Sequence, residues 1–139
     1  MKKIITLLIL TLTLTSFTKH PESYFSIIGK WRDVDKEKIS YIVFQDDEHA
    51  YFESQGRTIG GENCIIRGEK ATMSYEVDHS KKPIEIDFII KTKESGEINR
   101  FLCILEKIEN NTIKLQFGHS GNRPIGFNDR DAVIFKRVK

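Results

Sequence analysis

The sequence predicts an all-β domain, an antiparallel up-and-down barrel of eight to nine strands, behind a short export leader. Three observations predict the barrel. Short runs rich in Ile, Val, Phe, Tyr and Thr recur along most of the chain. Clusters of Gly, Asn, Asp and Ser separate them. Several runs alternate apolar and polar residues at period two, the spacing of a strand with one buried and one wet face.

The leader comes first. Met1-Lys2-Lys3 is a basic start, residues 4–14 carry no charge, and small residues follow at Thr15, Ser16 and Thr18. That order is the signature of a secretory signal, with the cut expected near Thr18. A membrane-spanning helix needs about 20 apolar residues, and this run ends by Phe17. No stable membrane span is therefore expected after cleavage. No cysteine lies near the cut, so a lipid-modified N-terminus is not supported. The expected division is a signal peptide over 1–18 and one barrel domain over 19–139. Loss of Lys2 and Lys3 takes the formal charge from +2 to zero. A neutral domain lacks the clustered excess of Lys and Arg that phosphate neutralisation needs, so nucleic acid is not an expected partner.

Strand runs follow near 28–34, 39–45, 49–54, 62–67, 71–78, 84–92, 98–108, 112–117 and 131–138. The clearest begins at Pro83, a residue suited to a strand start because it need not donate to the ladder. There Ile84, Ile86, Phe88 and Ile90 share one face, and Glu85, Asp87, Ile89 and Lys91 the other. Ile113, Leu115 and Phe117 alternate with Lys114 and Gln116 in the same way, and Met73, Tyr75 and Val77 with Ser74, Glu76 and Asp78. Turns are expected at Gln55-Gly56, Gly60-Gly61, Gly68-Glu69, Ser95-Gly96 and Asn110-Asn111. The one weak helical signal covers residues 21–28. Residues 118–130 read as an ordered loop before the last strand. A meander this long curls to bury its apolar face, and closing removes its edges. A β-sandwich is the structural alternative. An eight-stranded barrel is either just filled by side chains or able to hold one small ligand.

The two ends carry a resemblance. Gly29-Lys30-Trp31 opens the first strand and Lys136-Arg137 closes the last. A Gly-x-Trp with a basic residue on the final strand resembles the lipocalin and calycin pattern, which implies a barrel base closed by Arg137 stacked over Trp31. Three further stretches narrow it: Tyr75-Glu76-Val77-Asp78 running on to Lys82-Pro83 and Ile86-Asp87-Phe88, then Asn110-Asn111-Thr112-Ile113, then Gly121-Asn122-Arg123-Pro124 with Phe127. Together they resemble a lipocalin-like bacterial domain family of uncharacterised role, abundant in planctomycetes. Glu106 and Gln116 depart from its pattern, where an aromatic and a cysteine are usual, and residues 46–70 show no motif of it. The resemblance implies a fold and no established activity.

Catalytic signals are sparse. His20, His49, His79 and His119 lie in polar turns without metal-pair spacing, which reads as surface histidine and no metal site. Glu85 and Asp87 share a strand face opposite the apolar one, so a solvated outer face is expected rather than acid–base work. Asp46-Asp47-Glu48 lacks a calcium-loop pattern. No nucleophile elbow, phosphate loop or dinucleotide fingerprint occurs, so neither an enzyme nor a cofactor is expected. Cys64 and Cys103 either form a disulfide, which export would preserve, or serve as two small buried side chains. The expected function is an exported binding protein, periplasmic or secreted, holding a small apolar molecule among Met73, Tyr75, Ile86, Phe88, Leu115 and Phe117. The alternative is an envelope interaction module with a filled barrel, contacting a protein through loops at 55–61 or 118–130.

Overall fold

A computed structural model describes residues 25–35 and 39–139. The expected signal peptide over 1–18 lies outside the described residues, as does most of the weak helical stretch. The described part of that stretch, residues 25–28, is not helical. Among the described residues nine strands follow one another: β1 (Gly29–Asp33), β2 (Tyr41–Phe44), β3 (Ala50–Ser54), β4 (Arg57–Ile66), β5 (Glu69–Asp78), β6 (Ile84–Thr92), β7 (Ile98–Glu109), β8 (Thr112–Phe117) and β9 (Ala132–Arg137). Each pairs antiparallel with the next, and β1 pairs with β9 from Trp31↔Arg137 to Asp33↔Phe135, closing the barrel. No helix of the described residues is long and apolar enough to cross a membrane.

The period-two pattern sets which face is dry. β5 and β6 pair over eight positions, with Tyr75 opposite Phe88 and Met73 opposite Ile90. Inward residues on β6 are Ile86, Phe88 and Ile90, all buried, while Lys91 on the other face is exposed. Leu115 and Ile113 on β8 meet Val133 and Phe135 on β9 in the same layer. Burial of each such side chain contributes about 1.5–3 kcal/mol.

β4 departs from the expectation. It begins at Arg57, after a two-residue turn at Gln55-Gly56 whose φ values are 49° and 75°. Gly60-Gly61 is therefore not a turn but the interior of a strand, and the register against β5 shifts between Gly61 and Cys64. Residues 57–60 pair with β3 and residues 61–66 with β5. At this corner a Cβ on Gly60 would stand 2.6 Å from the Ala50 carbonyl oxygen and 2.8 Å from the Met73 Cε. Only glycine admits that approach, a use of glycine usual at bulges and barrel corners. The part of β5 that β4 leaves is taken up by the β2–β3 turn, where the Tyr75 N–H donates to the Glu48 carbonyl at 2.9 Å. Uniform alternation around a regular cylinder needs an even number of strands. Nine close here with every neighbouring pair antiparallel, so strand direction must swing within the sheet. The Gly60 corner is where the ladder visibly divides.

The 118–131 connection is irregular and pinned. Gln116 Nε2 donates to the Gly126 carbonyl at 3.3 Å, and its Oε1 accepts the Asn128 N–H at 2.9 Å. Gln116 is 3% exposed, although strand alternation puts it on the outer face. The loop folds back over that face and covers it.

Candidate functional site

The two ends of the chain meet at Trp31. Its indole N–H donates to the Ile27 carbonyl at 2.8 Å, and the ring is fully buried. The Arg137 guanidinium lies 4.2 Å from the ring centroid. It also donates to the Ile28 carbonyl at 2.6 Å and the Ser26 carbonyl at 2.7 Å. One planar fork thus serves the indole face and two backbone carbonyls, a task Lys cannot copy. Gly29 has φ 131°, and a Cβ there would approach Arg137 Nη1 to 3.0 Å. The Gly-x-Trp spacing therefore has a local cause. Glycine makes room for the guanidinium two residues before the ring that it covers.

The six residues expected to hold a ligand are packed against one another instead. Phe88 is fully buried and its ring lies 5.8 Å from Phe44, 5.0 Å from Phe52 and 5.7 Å from Phe117. Met73, Ile86 and Leu115 are buried in the same cluster. Tyr75 packs edge-on against Phe44 at 5.0 Å and donates its hydroxyl to the Gln45 carbonyl at 2.9 Å. Burial comes first in pushing the Tyr75 pKa up, with Glu48, Asp47 and Asp46 adding to it. Of the six, Phe117 alone reaches a described cavity, a small one of about 130 Å³ with Ile39 and Val133. The interior at this level is packed core: aromatic side chains from β2, β3, β6 and β8 fill it.

The larger space lies at the end of the barrel formed by the β4–β5 and β6–β7 hairpins. Direct pairing puts Phe101 opposite Phe88 and Asn99 opposite Ile90, so both face the interior side. Yet Phe101 is 48% exposed. It stands above the sealed layer and lines a cavity of about 460 Å³ together with Ile66 and Ile90. Two tight turns wall this space. Arg67-Gly68 has φ values of 50° and 81°, and Ser120-Gly121 has 53° and 75°. Paired positive φ marks the two-residue type I′ turn, a rigid hairpin end. Gly118 admits the second turn: a Cβ there would fall 1.9 Å from the Asn122 carbonyl oxygen and 2.7 Å from that of Leu102.

The rim is polar and partly organised. Thr92 Oγ1 and Ser95 Oγ are 2.5 Å apart, and Ser95 donates to Glu69 at 3.2 Å. Asn99 donates to the Glu97 carboxylate at 3.0 Å. Arg100 turns its guanidinium to the outer face, reaching Glu76 at 3.2 Å and Asp87 at 3.4 Å. Arg67 lines the same cavity and makes no ion pair with the described residues.

Other candidates are placed apart from this space. Cys64 and Cys103 are free thiols, which corrects the disulfide alternative. Cys64 sits on β4 against Ala71 and Cys103 on β7 against Ile86 and Phe117, with β5 and β6 between them. Burial pushes the Cys103 thiol up to about 12, so it is an inert packing group. Glu85 and Asp87 are not simply solvated. Arg123 reaches in from the loop, 2.7 Å from Asp87 Oδ1 and 3.5 Å from Glu85, and donates to the Cys103 carbonyl at 2.8 Å. The contact with Asp87 Oδ1 is an ion pair without the alignment of a hydrogen bond. The Arg-Pro motif thus ties the loop to the barrel wall. His49 is half-buried beside Asp47 at 3.2 Å, and His119 is exposed beside Asp131 at 3.3 Å. No group of three or more His, Cys, Asp or Glu among the described residues is placed to hold a metal ion. The stretch at 55–61 is mostly β4 rather than a loop, which removes it as a flexible contact surface.

Fold and site together define a small closed β-barrel with a filled centre, a capped tryptophan end and one open mouth. Comparison with protein-family models, curated proteins and solved structures returns no match.

Proposed function

We propose that the protein is an exported, non-enzymatic binding protein of lipocalin-like type, taking a small molecule in the mouth of its filled barrel. One observation carries the reading. Phe101 faces the interior side, paired across the ladder with the buried Phe88, yet is half-exposed to a cavity of about 460 Å³. Sites for small molecules typically occupy about 300–1,000 Å³, with an apolar lining and a few placed polar groups. An aromatic face exposed within a concave frame offers a ligand a flat apolar surface to cover. Export rests on the basic start, apolar run and small residues at positions 1–18.

The test is a fragment screen followed by amide NMR shifts, which needs no prior choice of ligand. Shifts clustered on Ile90, Asn99 and Phe101 support the reading. Hits that cluster elsewhere, or no saturable hit at all, sink it.

A second reading, a protein interaction module, draws on Ile125. This side chain is fully exposed on the loop that Gln116 and Arg123 hold in place. A rigid loop presenting one large apolar residue suits a protein contact. Cross-linking in cell-envelope extracts that is lost in Ile125→Asp favours it, and cross-linking unaffected by that change removes it.

A further inference from the structure

We infer that the ligand class of the mouth cavity is a sugar ring, stacked on Phe101 and hydrogen-bonded around its edge. The inference rests on the mouth being the binding site, and it sharpens what that site selects. The cavity has one apolar platform, formed by Phe101 with Ile66 and Ile90. Apart from Leu102 and two glycines, the rest of the lining is amide, hydroxyl, carboxylate or guanidinium. Asn99 and Asn122 offer both donors and acceptors. Ser120 adds a hydroxyl, Glu97 an acceptor and Arg67 a fork of donors.

Three ligand classes compete for such a lining. A purely apolar molecule would cover Asn99, Asn122 and Glu97 without replacing their water. Each polar group so stranded costs about 1–3 kcal/mol. A strongly anionic head would meet Glu69 and Glu97 along with Arg67, and a strongly cationic one would meet Arg67. No single sign of charge dominates the rim. A sugar ring meets all the constraints together. Its C–H face is apolar and slightly positive, matching the negative face of an aromatic ring. Its hydroxyls both donate and accept, matching the mixed rim. Its size suits a cavity of about 460 Å³. The walls add preorganisation, since the Arg67-Gly68 and Ser120-Gly121 turns are fixed before a ligand arrives.

The experiment titrates the purified chain with N-acetylglucosamine, its trimer, maltotriose and cellotriose, and separately with the apolar probe N-phenyl-1-naphthylamine. Calorimetry gives affinity and amide NMR gives location. The expected result is saturable binding of at least one saccharide, with shifts at Phe101 and Asn99. Phe101→Ala is expected to weaken it about tenfold or more, equivalent to about 1.4 kcal/mol, whereas Phe101→Tyr keeps it. Asn99 is exposed, so Asn99→Ala tests the same site with little risk to folding. Ile125→Ala, outside the cavity, is expected to leave affinity unchanged. Binding of the apolar probe at the mouth with no saccharide binding overturns the sugar inference and leaves the mouth site standing. Failure of every probe at the mouth overturns both. Saccharide binding indifferent to Phe101 and Asn99 also overturns the inference.

Discussion

Phe88→Ala separates a filled barrel from a hollow one. Phe88 is fully buried, and its ring contacts Phe44, Phe52 and Phe117 at centroid distances of 5.8, 5.0 and 5.7 Å. Truncation removes most of a side chain that buries about 150–250 Å². At about 25 cal/mol per Å² the transfer part alone is roughly 4–6 kcal/mol as an upper bound, because the unfolded chain already hides part of that area. Measured Phe→Ala changes in packed cores run at about 3–5 kcal/mol, which we take as the expected loss. For a domain of this size roughly 4 °C accompanies each kcal/mol, so the midpoint is expected to fall by about 12–20 °C. Trp31 is the sole tryptophan and is buried, so its fluorescence reports urea unfolding without a label. A loss under about 1.5 kcal/mol, the low end for one large apolar side chain, would show that Phe88 lines open space. The account of a filled interior would then be wrong.

Three further predictions follow the same logic. Arg137→Met removes the stacking and two charged hydrogen bonds, and is expected to cost about 2–3 kcal/mol in urea unfolding. Arg137→Lys should recover less than half of that, because a point charge cannot replace the fork. Gly118→Ala forces backbone to move at the mouth, with an expected loss of about 1–3 kcal/mol. Its amide NMR changes should centre on residues 102 and 118–122, and an unchanged spectrum there would refute the tight fit. For pH, hydrogen bonds hold three carboxylates below their usual value of 3.8: the His49 N–H for Asp47, the Ser80 hydroxyl for Asp78 and the Asn128 side chain for Asp131. A lowered folded-state pKa stabilises above the unfolded value and loses that stability as pH falls through the folded one. The melting midpoint is therefore expected to hold above about pH 4 and to drop below it. Asn128→Ala should make the drop shallower.

The strands were legible because each carries its own evidence. The Ile84 to Ile90 alternation needs no partner to be read, and neither do the Asn110-Asn111 and Gln55-Gly56 turns. β4 departs from the sequence expectation for a local reason as well. Two adjacent glycines are the usual mark of a turn, and here they serve a corner where Ala50 and Met73 press against the backbone. Nothing within ten residues of Gly60 announces that pressure. Gln116 shows the same limit, since alternation sends it outward and a loop from elsewhere in the chain then buries it. Met73, Tyr75, Ile86, Phe88, Leu115 and Phe117 fall on the inward side of their strands by alternation alone, and all six belong to or pack against the core. Whether inward apolar residues meet a ligand or one another depends on how four strands bring their phenylalanines together.

The amino-acid order alone determined the strand periods, most of the turns and the pairing of glycine with tryptophan two residues on. Those depend on backbone preference and on neighbours in sequence. Only the tertiary structure decided that the barrel is full, that Phe101 remains half-bare beyond the sealed layer, and that Gln116 is buried under the loop. Each of these is a distance between residues that are not neighbours in the chain. Closure in space sets such distances, and no local pattern encodes them.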